Sequence, residues 1–161
     1  MSRASLGNFG VSKKGNPSYP IGQIAGIDTA SLEKLRAARV RTTAGLLKAA
    51  KDAKGRKHLS DLTGIPVTDI LDLVNRADLM RVKGLGGDYT CLLRGVGVDT
   101  LRALRHRNPK HLAEKMAAEN AKRLDKKARN RNARAVQLLP SEKAIQKWIE
   151  RARELSLKIT Y

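Results

Sequence analysis

Two stretches hold the residue types whose spacing could do chemistry: Val82-Lys83-Gly84-Leu85-Gly86-Gly87 and Leu93-Arg94-Gly95-Val96-Gly97-Val98-Asp99-Thr100. Each reads apolar-x-Gly-apolar-Gly, and a short helix over roughly residues 87–94 fits between them. Glycine in such a turn permits positive φ and lets the backbone approach a neighbour closely. The helix that follows begins with N–H groups that have no intrahelical acceptor, a ready site for an anion such as phosphate. The chemistry offered is anion binding by the backbone. Arg81 and Lys83 flank the turn of Gly84, Gly86 and Gly87, and Arg94 flanks that of Gly95 and Gly97.

Bond-making chemistry finds little support. There is no Walker-type loop, no Cys-x-x-Cys and no His-Glu-x-x-His, so neither a nucleotide nor a zinc site is expected. His58, His106 and His111 are dispersed, and the latter two sit among basic residues that suit phosphate or water better than metal. Asp61, Asp69, Asp72 and Asp78 could hold Mg²⁺ as paired carboxylates, but helix caps and surface solubility explain them more simply. The expectation is a non-enzyme without cofactor or metal.

Composition points to a polyanionic partner. The 161 residues carry 33 Lys and Arg against 15 Asp and Glu, a formal charge of +18 with a pI near 10.6. Residues 1–60 hold 12 basic and 3 acidic side chains, residues 61–100 hold 4 and 6, and residues 101–161 hold 17 and 6. Basic ends therefore flank a near-neutral middle. Aromatic residues make up only 3%, which favours gripping a backbone over stacking on bases. No apolar run approaches the roughly 18 residues of a membrane span, so no membrane partner is expected. The lone Cys91 rules out an internal disulfide and suits a reducing cytoplasm. The start lacks the apolar region of a secretory signal. Its basic, acid-free character up to Asp28 is compatible with a transit peptide, against which Gly7, Gly10, Gly15, Pro17 and Pro20 argue.

The elements that must position these residues follow in order. Residues 1–20 read as a flexible basic arm, with Lys13 and Lys14 in reach of a phosphate. Ile24-Ala25-Gly26-Ile27-Asp28 is a second glycine turn, and Thr42 caps a helix burying Leu46, Leu47 and Ala50. Shifting the sequence by 58 residues places Ile24 on Val82, Gly26 on Gly84, Leu35 on Leu93, Val40 on Val98, Thr42 on Thr100 and Leu46 on Leu104, an internal duplication. The copies differ where a phosphate would sit, for Gly86 corresponds to Asp28, Gly95 to Ala37 and Gly97 to Arg39. The first turn therefore reads as structural, with Arg36, Arg39 and Arg41 able to bind an anion from their side chains. Lys51–Lys57 reads as a basic turn. Beyond Pro109 a helix runs into the segment holding Lys122, Arg123, Lys126, Lys127, Arg129, Arg131 and Arg134, all candidate phosphate ligands. Ser141 caps a last helix whose stripe of Ile145, Trp148, Ile149, Ala152 and Leu155 must dock, on its own core or on a protein partner. Leu157–Tyr161 alternates like a strand without a mate. The domains expected are an arm at 1–20, a core at 21–120, and a basic extension with a C-terminal helix at 121–161.

The glycine turns resemble helix-hairpin-helix elements, many of which grip nucleic-acid phosphates without sequence preference. The wider order of motifs resembles a bacterial domain-of-unknown-function family built from tandem units of this kind. The residues that carry it are Gly26-Ile27, His58-Leu59 with Thr63-Gly64-Ile65, Ala77 to Gly84, Gly97 to Thr100, Arg107-Asn108-Pro109, and Pro140-Ser141 followed by Trp148-Ile149. The likeness covers roughly residues 21–155 and implies an all-helical compact fold, while the basic segment before Pro140 is richer in Lys and Arg than the pattern requires. The fold expected is an all-α, compact tandem helix-hairpin-helix bundle with a long basic helix and a C-terminal packing helix. It implies no activity. The functional expectation is non-catalytic, sequence-tolerant binding of nucleic acid, duplex DNA before RNA, in the cytoplasm or at the nucleoid. The alternatives are a ribosome- or RNA-associated protein and a protein-interaction scaffold using the Trp148 face.

Overall fold

The computed structural model describes residues 17–129 and 135–161. Its elements, after a 3-10 turn at Ile21–Gln23, are helices α1 (Thr29–Ala37), α2 (Thr43–Ala50), α3 (Ala53–Thr63) and α4 (Val67–Leu79), followed by α5 (Gly87–Gly95), α6 (Leu101–Arg105), α7 (Pro109–Arg129) and α8 (Glu142–Glu154). The fold is all-α. Among the described residues the extended pairing is confined to one bridge, Pro20 with Thr42.

The duplication is legible in the backbone. Gly26 and Gly84 have φ of 85° and 86°, and Arg39 and Gly97 have 65° and 88°, each pair 58 residues apart. Val40 N–H donates to Leu35 O and Val98 N–H to Leu93 O, both at 2.9 Å. The hydroxyls of Thr42 and Thr100 accept from Gly45 and Ala103 N–H, both at 3.0 Å, and cap α2 and α6. Arg39 adopts the left-handed conformation that glycine occupies in the other copy, a departure from the preferred region for a residue with a Cβ.

Each copy buries its own apolar cluster. The first gathers Ile21, Ile24, Leu35, Val40, Leu46 and Leu47 with Leu59 of α3 and Ile70, Val74 and Ala77 of α4. The second gathers Leu79, Val82, Leu85, Leu93, Val98, Leu101 and Leu104 with Leu112 and Met116 of α7 and the α8 stripe. Helix α4 joins them, with Met80 in the first cluster and Leu79 in the second.

Several boundaries differ from expectation. Residues 17–20 belong to the core, because Thr43 N–H donates to Tyr19 O at 2.8 Å and Tyr19 N–H to the Thr43 hydroxyl at 3.0 Å. Residues 1–16, including Lys13 and Lys14, lie outside the described residues. Helix α7 runs continuously across residue 120, and α8 packs on α6 and α7. Lys51–Lys57 is largely helix. Asp52 caps α3 by accepting from Gly55 N–H at 2.7 Å, and a Cβ at Gly55 would lie 2.2 Å from Ala49 O, so the tight α2–α3 corner needs glycine. Polar composition hid that helix. The C-terminal segment forms no strand. Instead Thr160 N–H donates to Lys51 O at 2.8 Å and Arg56 donates to Thr160 O at 2.7 Å, tying the tail to the first copy.

The joint between the copies is charged. Asp78 and Arg81, both buried, pair at 2.7 Å, and Arg81 also donates to Ser156 O at 3.0 Å. Burial pushes the Asp78 carboxyl above its ordinary 3.8, against the pull of Arg81. Arg81→Met removes the paired charge, leaving only the more distant Lys158 and Arg105 to oppose a buried carboxylate, so the variant should lose about 3–5 kcal/mol. Without Arg81 the folded-state carboxyl titrates higher still, and the native state then holds its proton where the unfolded chain has released it. Stability should therefore fall further as pH rises from about 4 to about 7, which urea denaturation at the two pH values would measure.

Candidate nucleic-acid interface

The Gly84 turn is built from local hydrogen bonds and one brace. Leu85 N–H donates to Val82 O at 3.0 Å, Gly84 takes φ of 86°, and Gly86 then stands as the N-cap of α5 in extended conformation. The Trp148 indole Nε1 lies 3.4 Å from where a Gly84 Cβ would be, and its ring packs on Tyr89 with centroids 5.3 Å apart. Trp148 is 5% exposed. The Trp148 stripe therefore docks on its own core, where it covers the second cluster, and it offers a protein partner no open surface at this face.

The two copies treat the start of the following helix differently. In the first, the Asp28 carboxylate accepts from Ser31 N–H at 2.9 Å and caps α1. That hydrogen bond holds the Asp28 carboxyl below its ordinary value. In the second, Gly86 offers no capping side chain, and nothing lies within 4 Å of the position its Cβ would take. Lys83 and Gly84 beside it are exposed. Asp88, exposed in the first turn of α5, places one negative charge nearby.

Other expected ligands are committed to the fold. Arg81 sits in the buried pair with Asp78. Arg94 pairs with Asp72, which also accepts from Arg76 at 2.8 Å, and Arg76 donates on to Ala25 O at 2.6 Å. Arg123 donates to Glu119 at 3.1 Å and to Cys91 O at 3.3 Å. Each guanidinium was read as free because its acidic partner lies on another turn or another helix. Gly87 is a packing glycine, for its Cβ would lie 2.3 Å from Gln23 O of the first turn. At Gly95 a Cβ would meet only the Arg123 guanidinium and the Glu119 side chain, which can move aside.

The remaining candidates divide between places. Lys83, Gly84 and Gly86 cluster at the start of α5. Lys122 and Lys126 are exposed on α7 to either side of Arg123, which meets α5 at Gly95, about 12 Å along that helix from Gly87. Arg36, Arg39 and Arg41 are exposed in the first copy, at the end of α1 and after it. The side chains of Lys127 and Arg129, and all of Arg131 and Arg134, lie outside the described residues.

One basic grouping was not assembled from the sequence. Arg102, Arg105 and His106 of the α6 region meet Arg153 of α8 around one open hollow, and Arg107 lines the next. The Arg105-His106-Arg107 run was visible, but Arg153 is far away in the chain. Among the described residues no group of three or more His, Cys, Asp or Glu could hold a metal ion, and no helix is long and apolar enough to cross a membrane.

A family model described as Domain of unknown function (DUF4332) matches residues 25–155. The chain belongs to the DUF4332 family. No curated protein and no solved structure matches it. The DUF4332 match opens at Ala25, inside the first turn, and closes at Leu155, the last apolar residue of the α8 stripe, so it spans both copies and both clusters. It agrees with the family likeness carried by the glycine turns and the Pro140-Ser141 cap, at the level of a domain of unknown function.

The two adjacent glycines of the DUF4332 turn should separate sharply. Gly87→Ala drives a Cβ into backbone and should cost about 1–3 kcal/mol of stability. Gly86→Ala meets nothing and sits at φ of −80°, so its melting temperature should stay within a few degrees of the parent. Thermal melts of both variants check this.

Proposed function

We propose that this protein is a non-catalytic, largely sequence-independent nucleic-acid-binding module for duplex DNA, and that its two glycine turns are tandem helix-hairpin-helix elements. The observation that carries the reading is the contrast between the copies. They share one backbone, yet the first fills its helix start with the Asp28 carboxylate while the second leaves that place to Gly86, open and beside exposed Lys83. A phosphate at the Gly86 turn would take the position that a carboxylate takes in the first copy. The charge of +18 supplies the attraction that brings a polyanion to it. Neither turn offers side chains suited to reading base edges, which accords with sequence tolerance.

The test installs the first copy's cap in the second. Gly86→Asp should fold, because Asp28 occupies the matching position and the space at Gly86 is empty. Fluorescence anisotropy with a duplex DNA, titrated across salt, should show steep salt dependence for the parent, with affinity falling by orders of magnitude if about six to ten phosphates are neutralised. Gly86→Asp should bind several-fold more weakly with an unchanged melting temperature. Equal affinity of the two proteins removes the turn from the interface. No binding of the parent to DNA or RNA removes the function, and tighter binding to RNA of the same length turns the reading to an RNA-associated protein.

A further inference from the structure

We infer that the principal phosphate grip lies at the junction of α6, α7 and α8, where Arg102, Arg105, His106, Arg107 and Arg153 converge, and not at the glycine turns alone. The inference rests on the nucleic-acid reading above and names a site within it.

The first support is how the chain distributes its arginines. Those at the joint of the two copies are paired with carboxylates: Arg76 and Arg94 share Asp72, Arg81 has Asp78, and Arg123 has Glu119. None of Arg102, Arg105, Arg107 and Arg153 has a carboxylate partner among the described residues. Three of them are instead held by neutral backbone carbonyls. Arg105 donates through Nε to Ala152 O at 2.8 Å and through a terminal nitrogen to Leu155 O. Arg153 Nε donates to Arg105 O at 3.1 Å, and Arg107 donates to Gly97 O at 3.1 Å. A guanidinium has five N–H donors, so each anchored arginine keeps donors and its full charge for a ligand. Anchoring also lowers the ordering cost of binding, since less rotamer freedom remains to be lost.

The second support is a comparison within the chain. Moved back by 58 residues, Arg102, Arg105 and Arg107 fall on Ala44, Leu47 and Ala49 of α2. The first copy builds the same turn, cap and helix start without a single arginine at these places, so the fold of the unit does not require them. The cations also surround a concavity: Arg102, Arg105, His106 and Arg153 line one hollow, and His106 with Arg107 continues into the next. Converging guanidiniums around a concave surface suit the oxygens of a phosphodiester backbone, to which arginine donates in bidentate fashion.

Full-length protein carrying Arg102→Gln with Arg107→Gln should bind duplex DNA about tenfold more weakly in anisotropy titrations, and the slope of log affinity against log salt should shrink by about two. A control removes the same charge elsewhere, with Lys34→Gln and Lys54→Gln on exposed faces of α1 and α3, and should leave slope and affinity near the parent. Blue-shifted Trp148 fluorescence reports the fold of each variant. Where loss of the Arg107 anchor unfolds the double variant, Arg102→Gln alone, at an exposed position, should lower the slope by about one. Equal weakening by cluster and control variants overturns the inference and leaves general electrostatics. An unaltered slope in the cluster variants, with the parent still binding, overturns it as well while sparing the functional reading. A parent that binds no nucleic acid overturns both.

Discussion

Stacking two copies of a helical unit through one shared helix draws charged side chains into the joint, where Asp78 and Arg81 are buried and Asp72, Arg76 and Arg94 are partly buried. Helix α4 borders both apolar clusters, and Arg94 of α5 and the C-terminal tail meet the charged residues there. Asp72 and Asp78 each meet arginines, Arg76 and Arg94 for the first and Arg81 for the second. An isolated carboxylate or guanidinium at the buried Asp78–Arg81 position would be strongly penalised, so each of these two ions is compatible with the fold only while its partner is present. Arg76 reaches Ala25 O and Arg81 reaches Ser156 O, and the seam thereby fixes the first turn and the tail relative to α4. Two of the six acids in the near-neutral middle of the chain, Asp72 and Asp78, are counter-ions for this joint, in a protein whose two ends are strongly basic.

The glycines divide according to what they touch. Gly84 needs its left-handed φ for the turn, and Gly87 needs the absence of a Cβ because the first turn's backbone lies against it. Gly86 needs neither, since its conformation suits any residue and its surroundings are empty. Three neighbouring residues of one type thus serve a turn, a packing contact and an unobstructed helix start. The equivalent of the last in the first copy is an aspartate that caps its own helix, so the duplicated backbone tolerates either choice.

Paired and unpaired arginines make a similar division. Those near α4 are paired with acids and hold the copies together. Those at the α6–α7 junction are held by carbonyls, which orient a guanidinium without cancelling its charge. Arg56 belongs with them in chemistry but not in exposure, being buried between Ala50 O and Thr160 O, where it fastens the tail.

The sequence by itself determined the helical class, the duplication and the outline of the turns, because these depend on local spacing. Glycine at a fixed offset from apolar residues, and a threonine cap ahead of a helix, specify their conformation within a few residues. Leu35 and Leu93, or Val40 and Val98, could be matched without knowing what they touch. Only the tertiary structure decided which charges are available. Arg81, Arg94 and Arg123 read in sequence as free cations beside glycine turns, and whether each was free depended on Asp78, Asp72 and Glu119 being folded against it. Arg153 joins Arg105 from 48 residues away. The same holds for the Trp148 stripe, whose periodicity required a surface to cover, while the identity of that surface, the Gly84 turn and its cluster, depended on contacts distant in the chain. Coulombic pairing and close packing act through space, and a one-dimensional pattern does not record which distant residues the fold has brought within reach.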